Sequence, residues 1–169
     1  MMTLKLRAIQ PQDNPRIAAI VRQVLTEFGA NQPGFAWSDP ELEKLSEAYR
    51  EPGSAYYVAI YQQEVVGGAG IAPFACEYPA ICELQKMYLL PDYRGQGNGQ
   101  ALMQKLMEVA QSHQYQGCYL ETFRTMKGAM RFYERSGFQQ LAKPLGNSNH
   151  TSCDRFYMRW FRQDVSLEA

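Results

Sequence analysis

The sequence predicts an α/β fold in which strands and helices are intermixed around one central sheet, and three observations carry that expectation. Segments rich in β-branched and aromatic residues follow one another at 55–61, 65–72 and 83–90, as in an antiparallel meander. Apolar residues recur at helical spacing in two longer stretches, through Ile17, Ile20, Val21, Val24, Leu25 and Phe28 and again through Leu102, Leu106, Val109 and Ala110. Between the third strand and the second of these helices stands Arg94-Gly95-Gln96-Gly97-Asn98-Gly99. Its alternating glycines leave backbone N–H groups uncovered at the positive end of the helix dipole, a fit for a pyrophosphate.

In chain order, Leu4, Leu6 and Ala8 alternate as a first strand. Asn14 is placed to cap the first helix, with Pro15 at its first position and Gly29 at its end. Asp39 and Pro40 open a second helix that carries Leu42, Leu45 and Tyr49 and stops at Pro52-Gly53. The Pro/Gly-rich connection between them holds Phe35 and Trp37, which can line a pocket or, more commonly for such residues, anchor the loop to the core. Gln62-Gln63-Glu64 joins the next two strands without the Asn-Gly or Asp-Gly pair of a two-residue hairpin, so the turn type stays open. A strand at 117–121, a helix at 126–135 and final strands near 138–142 and 154–161 complete the pattern.

Length and composition agree with one domain spanning 1–169. A chain of 169 residues with 46% hydrophobic content can bury on the order of 70% of its unfolded surface. Basic and acidic side chains both total 17, which gives no positive field to gather nucleic acid. Cys76, Cys82, Cys118 and Cys153 are widely spaced and form no C-x-x-C pair, so neither zinc nor a disulfide framework is signalled and no metal is expected. Without an apolar h-region or an eighteen-residue apolar run, the expectation is a cytoplasmic protein that does not enter a membrane.

Three phosphate-cradling patterns compete for the glycine run. A P-loop needs Lys-Ser or Lys-Thr after its second glycine, whereas Gln100 and Ala101 follow Gly99. A dinucleotide fingerprint needs a glycine at the sixth position, which is Gln100, and lacks the spacer Pro91-Asp92-Tyr93-Arg94. The pattern basic-x-x-Gly-x-Gly is met by Arg94, Gly97 and Gly99. It resembles the acyl-CoA pyrophosphate loop of the GNAT superfamily of N-acetyltransferases. Glu83-Leu84-Gln85-Lys86-Met87-Tyr88-Leu89-Leu90-Pro91 resembles the central strand of that superfamily. Leu120-Glu121-Thr122 and the stretch from Ala129 through Phe132-Tyr133-Glu134 to Phe138 resemble its later strand, helix and turn.

The resemblance implies a mixed, mostly antiparallel sheet with helices on both faces, and transfer of an acetyl group from acetyl-CoA to a primary amine by direct attack in a ternary complex. The acceptor is then a small-molecule or peptide amine. An alkylammonium with a pKa near ~10.4 has no free lone pair at neutral pH, so a base is required. Glu83 and Glu121 occupy the two positions where the family commonly places one, and Glu83 is slightly favoured. Tyr133 matches the tyrosine whose hydroxyl sits by the CoA sulfur and is the expected acid. Met87, Tyr88 and Leu89 are expected to meet the cofactor through their main chain, and Arg94, Gly95, Gln96, Gly97, Asn98, Gly99 and Gln100 to hold its pyrophosphate. Met126 stands where many relatives carry an asparagine that contacts CoA. His150 is expected in a solvated polar connection, and the exposed final strands leave a homodimer open. A non-catalytic acetyl-CoA sensor or interaction module is the alternative reading, because fold and cofactor do not fix activity.

Overall fold

In the computed structural model, residues 3–161 are described. Strands β1 (Lys5–Ala8), β2 (Ala55–Tyr61), β3 (Glu64–Pro73), β4 (Ile81–Leu89), β5 (Gly117–Thr122), β6 (Gln139–Leu141) and β7 (Arg155–Trp160) form one sheet in the order β1-β2-β3-β4-β5-β7-β6. Every neighbouring pair is antiparallel except β4 and β5, so the sheet is mixed as expected.

The alternation of β2 shows how the sheet separates two cores. Tyr56 and Val58 join the cluster beneath α1 (Asn14–Glu27), while their neighbours Ala55 and Tyr57 pack toward α3 (Asn98–Ser112) on the opposite face. The apolar stripe Ile17, Ile20, Val21, Val24 and Leu25 of α1 is fully buried in the first core. Leu102, Leu106 and Ala110 of α3 lie in the second with Tyr133 of α4 (Lys127–Arg135). Both stripes follow the 3.6-residue period that predicted them.

Two expectations change. The second helix is broken into 3-10 turns at Ala36–Ser38 and Leu42–Lys44 and a single turn α2 (Leu45–Ala48). Lys44 leaves helical geometry at φ −136°, and the Ser46 N–H is claimed by the Asn14 side chain at 2.9 Å. That bond also revises Asn14, whose own backbone is helical and whose side chain donates to Ser46 Oγ at 2.8 Å instead of capping α1. The β2–β3 connection is a two-residue hairpin, with Tyr61 opposite Glu64 and positive φ at both Gln62 and Gln63. The twist of the flanking strands favours that geometry even without Asn-Gly.

Two irregularities of the sheet make room for a site. Between Gly68 opposite Tyr88 and Gly70 opposite Gln85, β4 carries one extra residue, and Lys86 adopts φ +48°. Such a bulge bends the strand. The parallel ladder of β4 with β5 runs over only Ile81–Gly117, Cys82–Cys118 and Glu83–Tyr119. Beyond Glu83 the two strands diverge, and a cleft opens between them.

Candidate active site

The cleft is lined by Glu83 to Tyr88 of β4, Leu120 to Thr122 of β5, Tyr133 of α4, and Phe35, His150 and Cys153 from two connections. It therefore brings the three predicted catalytic residues, Glu83, Glu121 and Tyr133, to one place. Phe35 serves both of its expected roles, since it lines the cleft and packs edge-on against Phe123 at 4.8 Å between ring centres.

Glu83 is only 5% exposed. Its Oε1 accepts from the Gln85 amide, and the Gln85 carbonyl oxygen accepts from the Tyr49 hydroxyl at 2.7 Å. Burial disfavours its charged form and the charge of Glu121 adds to this, so the carboxyl is pushed up from 4.5 to about 7 despite the Gln85 bond. Glu121 is engaged differently. Its Oε2 accepts from the Tyr119 hydroxyl and its Oε1 from Ser148 Oγ, both at 2.6 Å. One carboxyl is thus poised to gain or lose a proton near neutrality, while the other is fixed by two hydroxyl donors.

The bulge beside these groups is pinned from below. Tyr56 donates its hydroxyl to the Lys86 carbonyl at 2.9 Å, inside the core. Space for Tyr56 and Tyr49 exists because β3 is glycine at two positions. A Cβ on Gly68 or Gly70 would stand 2.6 Å from the Tyr56 ring, and on Gly70 also 2.7 Å from Tyr49. The repeated glycines of Gly67-Gly68-Ala69-Gly70 are the sequence signal for this close approach, one that periodicity reads only as strand.

Tyr133 lines the cleft from α4, and burial keeps its phenol protonated well above the usual range. Cys153 stands in the same cleft. Burial and then the charges of Glu121 and Glu83 push its thiol up to about 12, so the nucleophilic thiolate is scarce at neutral pH.

The glycine loop lies at the N-terminus of α3. Gly95 and Gly97 have φ of +74° and +81°, and a Cβ on either would meet nothing within 4 Å, which leaves the backbone accessible to a ligand. The first helical bond runs from the Ala101 N–H to the Gly97 carbonyl at 3.0 Å, so the amides of Asn98, Gly99 and Gln100 precede the ladder and have no acceptor within the helix. The Asn98 side chain is turned inward, donating to the Tyr93 carbonyl at 3.0 Å, and Gln96 donates to the Asp92 carbonyl at 2.9 Å. These residues can hold a pyrophosphate by main chain, which fits the donor set a CoA diphosphate requires. Arg94 points elsewhere. Its guanidinium forms a two-pronged pair with Glu27 at 2.8 and 2.9 Å, and its Nε donates to the Leu89 carbonyl at 2.8 Å. Met87, Tyr88 and Leu89 lie on the diverging part of β4, without a β5 partner in the ladder.

The solvated connection expected around His150 is instead part of the site. His150 Nε2 meets Asp39 Oδ1 at 2.8 Å, and Asp39 Oδ2 meets Lys86 Nζ at 2.7 Å. The Lys86 side chain, 2% exposed, also pairs with Glu41 at 3.1 Å. Burial opposes the charge on Lys86 and His150, but Asp39 outweighs it in both, and Glu41 adds to it for Lys86, so both are raised. The network joins residues at positions 39, 41, 86 and 150, and no local spacing in the sequence announces it. Among the described residues, no group of His, Cys, Asp and Glu side chains is arranged to hold a metal, and no helix is long and apolar enough to cross a membrane.

Comparison with known proteins agrees with this geometry. Residues 21–138 match the family model for the acetyltransferase (GNAT) family. The chain is 43% identical over 150 residues to an uncharacterized N-acetyltransferase, YjgM, of Escherichia coli (strain K12), covering 88% of this chain and 90% of that protein. Among solved structures, a GNAT-family acetyltransferase of Staphylococcus aureus Mu50 superposes with a TM-score of 0.84 at 21% identity, over 95% of this chain and 100% of the other. The PaiA N-acetyltransferase of Thermoplasma acidophilum, solved in complex with coenzyme A, superposes with a TM-score of 0.69 at 15% identity, again over 95% and 100%. With the glycine loop before α3, the split between β4 and β5 and the family match over most of its length, the chain belongs to the GNAT family and is an N-acetyltransferase.

Proposed function

We propose that this protein transfers the acetyl group of acetyl-CoA to a primary amine of a small molecule or peptide, by direct attack with both substrates bound. The observation that supports it best is the single cleft that holds a buried carboxyl near neutrality, Glu83, together with a protonated phenol, Tyr133, where β4 leaves β5.

Acetyl-CoA supplies a thioester carbonyl activated toward attack. The amides at 98–100 and the N-terminus of α3 would hold its diphosphate, with Gly95 and Gly97 keeping the approach clear. Main-chain groups of Met87 to Leu89, unpaired with β5, would orient the pantetheine arm and polarise the carbonyl. Glu83 takes the proton that the incoming ammonium must lose, directly or through water, and Tyr133 donates toward the departing sulfur. Glu121, already accepting two hydroxyl bonds, shapes the acceptor side and is the second choice for the base. The high pKa of Cys153 supports direct transfer over an acetyl-cysteine route. No step calls for a metal, and the whole chain acts as one domain.

The test is release of free thiol from acetyl-CoA across polyamines, amino acids, aminoglycosides and lysine peptides, with and without a chelator. Turnover of at least one amine, with intersecting double-reciprocal plots and no chelator effect, is expected. Tight CoA binding with no amine acetylated would favour the sensor reading. Parallel plots with an acetylated cysteine would replace direct attack.

A further inference from the structure

The catalytic groups do not use Asp39, Lys86 or His150, although all three are drawn together at the same cleft. Asp39 lies on the connection from α1 to α2, Lys86 in the bulge of β4, and His150 on the connection from β6 to β7. The Asp39 carboxylate is shared, with His150 Nε2 at 2.8 and 3.0 Å and Lys86 Nζ at 2.7 Å. The same two connections touch again where the Ser152 N–H donates to the Gly34 carbonyl at 3.1 Å. A Cβ on Gly34 would fall 2.1 Å from Ser152 Oγ, so their approach is close. The segment carrying His150 also supplies Ser148 to Glu121 and Cys153 to the cleft. A second cleft lies along it and shares Glu121, His150 and Cys153 with the first.

We propose that His150 and Asp39 are positioning residues that clasp the 147–153 segment onto the 34–41 segment, and so set the shape of the acceptor side without touching the cofactor loop. Lys86, buried and paired with Glu41, is the anchor that keeps Asp39 charged and in place. The glycine loop at 94–100 makes no hydrogen bond to this network, and His150 bonds to none of Met87 to Leu89, so losing the His150 side of the clasp, with Lys86 still paired to Asp39 and Glu41, changes how an acceptor is held and not how CoA is held. This rests on the acetyltransferase reading for its kinetic consequence, but the clasp itself is measurable without turnover.

The clasp is strongest when His150 is protonated, because a charge-assisted bond exceeds a neutral one. The charged and titrating groups facing His150 are Asp39 from the first connection, Lys86 and Glu83 from β4, Glu121 from β5 and Cys153 from its own segment. Of these, Asp39 alone is within hydrogen-bonding distance of the imidazole. Protection of the segment should therefore be full at pH 6 and fall as pH rises past the raised value of His150.

Hydrogen exchange of the peptide spanning 147–153, corrected for intrinsic rates, reads this directly. The intact protein is expected to exchange roughly tenfold faster at pH 8.5 than at pH 6, the ratio a charge-assisted bond provides over a neutral one. His150→Ala should exchange fast at both. His150→Gln keeps a donor to Asp39 without a titrating ring and should be intermediate and flat with pH. Acetyl-CoA affinity by calorimetry should stay within about twofold in both variants, while KM for the amine turned over fastest in the panel rises about tenfold or more in His150→Ala and recovers in part in His150→Gln. Equal protection at both pH values in the intact protein, or His150→Ala as protected as the intact chain, overturns the clasp. A variant that loses acetyl-CoA binding overturns its confinement to the acceptor side. Failure of every amine to react, with the exchange pattern as expected, would count against the enzymatic reading alone.

Discussion

Glu83→Gln separates what a buried carboxyl costs the fold from what it contributes to the chemistry. The folded protein holds this carboxyl at about 7 in place of 4.5, so between those values the native state binds more protons than the unfolded state. Stability then falls as pH rises through that interval, and the loss is complete above 7. At ~1.4 kcal/mol per pH unit, the native state of the wild type is penalised by up to roughly 3 kcal/mol at pH 8 and not at all below pH 4.5. Gln carries no charge and can still accept the Gln85 amide, so the variant should gain about 1–3 kcal/mol over wild type at pH 8 and less than about 1 kcal/mol at pH 5. Urea unfolding at the two pH values measures this difference. The rate should move the other way. A base near 7 is about 10% ionised at pH 6 and about 90% at pH 8, so the ratio of wild-type to variant kcat/KM should climb roughly tenfold over that range and then level off. Titration of the amine itself cancels in the ratio. If the stability gain is the same at pH 5 and pH 8, the burial argument fails. If the rate ratio is flat, the base is elsewhere, and Glu121→Gln becomes the variant to examine.

Tyr133→Phe keeps the buried ring and removes the hydroxyl, and kcat should fall by roughly 10²-fold with CoA affinity unchanged; an undiminished rate with chemistry limiting would leave the tyrosine a packing role. Gly97→Val forces a branched side chain to φ +81°, at a cost of ~1–2 kcal/mol in stability, and should weaken CoA binding by more than tenfold in calorimetry; unchanged affinity would refute the main-chain cradle. Glu27→Gln removes the carboxylate that occupies Arg94. This half-exposed pair holds little folding energy, but freeing the guanidinium should tighten CoA binding about threefold at low salt and not at 0.5 M salt. Weaker binding in that variant would mean that Glu27 orients Arg94 instead of competing for it.

Local chemistry is what the sequence by itself determined. The apolar stripes of α1 and α3, the alternation of Leu4, Leu6 and Ala8 and the glycine run each need only neighbours a few residues away, because helical and strand periods are local properties of the chain. That was sufficient to order the elements around one sheet and to mark the glycine run as a candidate pyrophosphate loop, while the family resemblance named Glu83, Glu121 and Tyr133, which the fold brings to one cleft. Asn14 and the second helix show where local reading stops. A side chain suited to capping was claimed by Ser46, far along the chain, and the helix it reached was broken there. The same holds for the groups that tune the site. Glu83 and Glu121 read alike as isolated carboxylates, and only packing tells a buried one at about 7 from one accepting two hydroxyl bonds. Arg94 reads as a phosphate ligand, and nothing local in the sequence announces the Glu27 carboxylate paired with it. The Asp39–Lys86–His150 network depends on the bulge, which depends on Tyr56, which depends on glycines in β3. Each link joins residues remote in sequence, and in an interior of low dielectric those long-range neighbours fix charge and proton affinity.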